Sequence, residues 1–84
     1  MAAVSLSQVI ALLHAECPML TGVALQADTP LLSAGLLDSF AIVTLLAALE
    51  RALGVELDVA QIPIEQFETP ATIAALCAQA AATP

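Results

Sequence analysis

Apolar residues recur along the chain in three runs whose spacing predicts helices. Leu6, Val9, Ile10, Leu13 and Cys17 stand at i, i+3, i+4, i+7 and i+11, which is one stripe of a 3.6-residue period. Ser5 or Ser7 can cap that helix at its start. Pro18 ends it, because proline has no N–H to donate and its ring clashes with the preceding turn. Ile42, Leu45, Leu46, Leu49 and Leu53 repeat the spacing in a second helix from about Ser39 to Leu53. Gly54 follows, a residue favoured just past a helix C-terminus. The third helix has Thr69 as cap, Pro70 at its first position, and Ile73, Leu76, Cys77 and Ala80 facing inward.

The connections between these runs differ in kind. From Pro18 to Leu37 the punctuation TG, DTP and SAG marks a long irregular segment. Its apolar members, Met19, Leu20, Val23, Leu25, Leu31 and Leu32, are expected to pack onto the helices. A structureless loop of about 20 residues is unusual in a small domain and often serves function. The second connection, VELDVAQIPIEQFE, is expected to hold at most one short turn, around Ile64–Phe67. The expectation is an all-α, single-domain chain (residues 1–84): a bundle of three main helices plus a short one.

Composition changes this picture in two places. Aromatic residues make up only 2% of the chain, so the core must come from Leu, Ile, Val and Ala, which suits packed helices. The net charge is −7 and Arg51 is the only Lys or Arg. Nothing is available to neutralise phosphates, which excludes nucleic-acid binding and attraction to anionic membranes. The mean hydropathy of +0.99 raises the question of a membrane span. The longest uncharged stretch, TPATIAALCAQAAATP, falls short of the roughly 20 apolar residues a span needs. The N-terminus has no basic residue before its apolar part, unlike a signal peptide, and Glu16 is wrong for a lipidated Cys17. A soluble, cytoplasmic protein is expected.

Candidate chemistry is sparse. Cys17 and Cys77 lie far apart with no CxxC and only His14 as a possible companion, so reduced, buried thiols are expected, with no metal site. His14 sits at the edge of its stripe and reads as a partly exposed surface histidine. The second helix carries more information. Its outer side is Phe40, Val43, Thr44, Ala47 and Arg51, four of them uncharged in a chain with eight acids. An exposed strip of that kind marks a docking surface for another protein. The alternative is that loop 18–37 covers the strip and makes it core. Asp38 suits the N-cap, which puts Ser39 at the first helical position with its side chain at the surface. A phosphate ester there would lie beside free N–H groups, although Asp38 would repel it unless a cation is shared. A hydrolase triad of His14, Ser39 and Asp38 is disfavoured, because so small a bundle offers little cleft.

The stretch LLSAGLLDSFAIVTLLAALERALGVELD resembles the phosphopantetheine-attachment segment of the acyl, aminoacyl and peptidyl carrier protein family. FETPATIAALCAQ is similar to the last two helices of that family, so the resemblance runs from about Val4 to Ala80. It implies a four-helix bundle of acyl-carrier-protein type, with a long loop between helices I and II and a short helix III. It also implies that Ser39 is esterified by 4′-phosphopantetheine, delivered by a phosphopantetheinyl transferase from coenzyme A with a divalent metal. The protein would then be a non-catalytic shuttle with no catalytic residues of its own, and a monomer, as such carriers usually are. An adenylating ligase would load the arm as a thioester, and a downstream tailoring or condensing enzyme would take the cargo. Two departures refine the expectation. Many fatty-acid carriers are acidic along the outer side of helix II, at positions where this chain has Ala41, Thr44, Ala47, Glu50 and Arg51. SAGLLDSF also has Leu36 and Leu37 where assembly-line carriers have two glycines before the His or Asp that precedes the serine. It looks like free-standing carriers, including D-alanyl and stand-alone aminoacyl carriers of specialised metabolism. The expected role is therefore aminoacyl or acyl carriage in a nonribosomal-peptide-like pathway, such as antibiotic biosynthesis. The alternatives are a fatty-acid or polyketide carrier and, from another class, a cofactor-free helical interaction module.

Overall fold

A computed structural model of the chain describes residues 4–54 and 56–82. Among them are three α-helices, α1 (Leu6–Glu16), α2 (Ser39–Leu53) and α3 (Pro70–Ala82), and three short 3₁₀ turns. The described residues form no strand. The fold is all-helical, as a carrier-type bundle requires, and each α-helix packs against the other two.

The helix ends lie where local chemistry puts them. Of the two serines available, Ser5 caps α1 in a reciprocal capping box. Its hydroxyl accepts the Gln8 N–H at 3.3 Å, and the Gln8 side chain accepts the Ser5 N–H at 2.9 Å. Helix α1 ends at Glu16, before Cys17 and Pro18. Gly54 closes α2 with a φ of 71°, the left-handed conformation that a residue with a Cβ adopts only at a cost. At α3, Thr69 and Thr72 bond each other's backbone N–H reciprocally, both at 3.1 Å.

The core takes Val9 and Leu13 from α1, Cys17 from its C-cap, five residues of the expected stripe from α2, and Ile73, Leu76 and Cys77 from α3. Phe67 fills it from the 3₁₀ turn Ile64–Phe67. The long connection adds Leu20, Leu31 and Leu37, all buried. Burying each leucine contributes about 1.5–3 kcal/mol, so this segment is pinned to the bundle along its length.

Four expectations are corrected. The connection after α1 opens with a 3₁₀ turn, Pro18–Leu20, and is not structureless there. In that tight turn neighbouring side chains point about 120° apart, so Leu20 enters the core while Met19 remains 48% exposed. The second connection holds two turns, Val59–Gln61 and Ile64–Phe67, where one was expected. The first gains support from the Asp58 carboxylate, which accepts the Ala60 N–H at 3.0 Å. Finally, Ala41 is buried and does not belong to the outer side of α2. It and Ala48 stand one turn either side of Leu45, on the flank of the stripe. Packing against both α1 and α3 widens the buried arc of α2 beyond that stripe.

Candidate functional site

The site is assembled from the loop inward. The Leu31 N–H donates to the Glu68 carbonyl. The Glu68 carboxylate accepts the N–H of Leu32 at 3.1 Å, the N–H of Ser33 at 3.0 Å and the Ser33 hydroxyl. The Ser33 hydroxyl is the main reason that this carboxyl is held below its ordinary range. The two amides add to the effect and partial burial opposes it. Leu31 then closes the turn, its carbonyl accepting the N–H groups of Leu36 at 2.8 Å and Leu37 at 3.0 Å. Gly35 allows the reversal with a φ of 73°.

The chain leaves this turn with Leu37 buried and Asp38 extended. The Asp38 carboxylate accepts the Ala41 N–H at 2.8 Å, and its carbonyl accepts the Ile42 N–H at 3.0 Å. Ser39 is consequently the first residue of α2 and is exposed. Among the described residues its hydroxyl makes no hydrogen bond, and the Ser39 and Phe40 amides are left without partners, as the first turn of a helix dictates.

Beside Ser39 lies a cleft of about 220 Å³, lined by Ser39, Ile42, Val43, Ile62, Ile64 and Phe67. Ser39 is the only hydroxyl in that lining. Loop 18–37 does not cover the outer side of α2: Phe40 is 81% and Val43 61% exposed. Ile64, at 57%, adds a third large apolar side chain across the cleft from α2. Ile62 and Ile64 were not legible as site residues, because Ile62 lies between two 3₁₀ turns and Ile64 opens the second, and neither turn is long enough to show a periodicity. Glu68 gave no sequence signal either, since its partners lie 35 and 36 residues away.

The remaining candidates are occupied elsewhere. His14 is exposed and its Nε2 donates to the Val23 carbonyl at 2.8 Å, while Asp38 is engaged with Ala41. Neither is bonded to Ser39, so no triad is assembled. Arg51 lies 3.8 Å from Glu16 in the last turn of α2, about 18 Å along the axis from Ser39. Arg51, the only Lys or Arg, therefore does not serve the Ser39 end. Cys17 and Cys77 are buried, unpaired thiols, and burial pushes both upward in pKa. Among the described residues there is no cluster of three or more His, Cys, Asp or Glu able to hold a metal ion. No helix among them is long and apolar enough to cross a membrane.

A family model described as a phosphopantetheine attachment site matches residues 7–77, well over half of the chain. No curated protein and no solved structure matches it.

Proposed function

Because the chain belongs to the phosphopantetheine-attachment family, we propose that Ser39 is the residue to which its 4′-phosphopantetheine arm is esterified. The family's domain is the site of that covalent attachment, and its members meet phosphopantetheinyl transferases and further partner enzymes. The observation that carries the assignment is the state of the serines. Ser33 is committed to Glu68, Ser5 caps α1 outside the matched segment, and Ser7 lies within α1. Ser7, the second residue of α1, is also exposed and unbonded, but Ser39 alone joins those properties to the first position of a helix and to the lining of an apolar cleft. Its residues fit the group: a phosphate on this hydroxyl would lie near the unpartnered amides of Ser39 and Phe40. The Asp38 charge opposes it, which favours a phosphate turned towards solvent.

When attached, the arm supplies a terminal thiol that holds an acyl or aminoacyl group as a thioester. The chain's own part is recognition. Phe40, Val43 and Ile64 offer an apolar surface flanking Ser39, which suits docking by a transferase, an adenylating ligase and a downstream tailoring or condensing enzyme. The protein itself is read as non-catalytic, as phosphopantetheine-attachment domains generally are. The cleft beside Ser39 supports a reading of the cargo's size. Its 220 Å³ is below the roughly 300–1,000 Å³ of pockets that enclose a ligand, so a long chain would remain largely outside. That favours a small aminoacyl cargo over fatty-acid or polyketide chains. Together with the SAGLLDSF signature, it supports a free-standing carrier in a nonribosomal-peptide-like pathway, which we read as acting as a monomer in the cytoplasm.

The test is intact mass in two steps. Co-expression with a broad-specificity transferase should add one phosphopantetheinyl group. Incubating that holo protein with an adenylating ligase, ATP and its amino acid should then add one aminoacyl group that hydroxylamine removes. Failure of the first step would leave a helical interaction module. Loading by fatty-acyl ligases alone would move the cargo assignment to acyl chains.

A further inference from the structure

We propose that Glu68 is a positioning residue for the modification of Ser39, acting from the opposite end of the fold's connections through the turn 31–37. The inference rests on reading Ser39 as the attachment site, and its warrant is the chain of bonds between the two residues. The Glu68 carboxylate takes three donors from Leu32 and Ser33, and its carbonyl takes the Leu31 N–H. The Leu31 carbonyl in turn holds the Leu36 and Leu37 amides, the last two before Asp38. A second tie, from the Ala71 N–H to the Ala27 carbonyl at 3.0 Å, fixes the same loop to the start of α3. The loop therefore reaches Ser39 with its path set by the residues that open α3, and only Glu68 among them contributes a side chain to it.

A carboxylate accepting several hydrogen bonds holds its donors more strongly than a neutral acceptor does. Without it, the turn keeps its buried anchors Leu31 and Leu37 but loses what orients Leu32 and Ser33 between them. The turn then samples open forms in which Asp38 and Ser39 are not presented at the start of α2. A transferase that binds only the closed form would meet a diluted substrate. Its apparent affinity falls by the closed fraction, while turnover of the bound complex is unchanged.

The experiment compares the apo protein with Ser33→Ala, Glu68→Gln, Glu68→Ala and the neighbouring control Glu65→Ala. Amide exchange reports the turn, and steady-state transfer from coenzyme A by a broad-specificity transferase reports presentation. Glu68→Ala should speed exchange at Leu36 and Leu37 about tenfold or more, with the amides of Leu13 and Leu49 keeping their protection. It should raise KM for the carrier about threefold or more and leave kcat within about twofold. Ser33→Ala and Glu68→Gln, which each keep part of the set, should fall between, and Glu65→Ala should match wild type. Unchanged exchange at Leu36 and Leu37 in Glu68→Ala would overturn the proposal. So would a loss of kcat at constant KM, or equal loosening of the core amides, which marks a merely structural role. If wild type gains no arm, the Ser39 reading has failed, and exchange still judges the latch separately.

Discussion

The Asp38 carboxylate accepts the Ala41 N–H at 2.8 Å, and this bond decides which residue stands first in α2. Replacing Asp38 with Ala should cost about 1 kcal/mol of stability, the usual loss for an N-cap. Asp38→Asn should cost little, because its amide oxygen can accept the same bond. Urea unfolding of the two variants checks this; equal losses would assign the effect to the charge.

Core packing of α2 separates its faces. Leu49 is fully buried and Leu49→Ala should cost about 2–5 kcal/mol, with Leu46→Ala close behind. Ala47 is exposed, and Ala47→Ser should change stability by less than about 0.5 kcal/mol. Ala48→Leu tests the wider buried arc: overpacking that flank should cost about 1–3 kcal/mol. Thermal or urea melts of all four variants are sufficient, and a harmless Ala48→Leu would contradict the arc described for α2.

Much of this was legible before the structure. The stripe Ile42, Leu45, Leu46, Leu49, Leu53 gave the inner face of α2, and Asp38 and Gly54 gave its ends, because periodicity and capping are local. Phe40 and Val43 were readable as the outer side for the same reason, while their exposure needed the path of loop 18–37. Ala41 was misplaced, since alanine carries no polarity signal and its burial depends on packing against two helices at once. Glu68 could not be found, because a carboxylate that serves donors 35 residues away looks like any other surface acid.

Acid should loosen the latch. The folded-state pKa of Glu68 is depressed below the ordinary 4.5, chiefly by the Ser33 hydroxyl. Its contribution is therefore fully present above that value and is lost as pH falls through the lower folded one. Wild type and Glu68→Gln should differ in urea midpoint at pH 7, and the gap should close below about pH 4.5. A gap that is constant from pH 7 to 3 would show that the charge on Glu68 is irrelevant.

Partner recognition should rest on apolar burial. Phe40 and Val43 are exposed and the nearest part of α2 carries no charge except Asp38. Loading of the holo protein by its adenylating ligase should vary by no more than roughly threefold between low salt and ~0.3 M. Phe40→Ala should weaken loading by at least about 1 kcal/mol, and Arg51→Ala by much less. A steep salt dependence with an indifferent Phe40 would point instead to steering by the −7 net charge, through Glu50, Glu56 and Asp58.

The central claim is that Ser39 carries the arm. Wild type and the variants Ser39→Ala, Ser5→Ala, Ser7→Ala and Ser33→Ala, each incubated with coenzyme A, magnesium and a broad-specificity transferase, can be compared by intact mass. Wild type, Ser5→Ala and Ser7→Ala should each gain one phosphopantetheinyl group, Ser33→Ala should gain it more slowly, and Ser39→Ala should gain none. A gain that survives in Ser39→Ala would contradict the account.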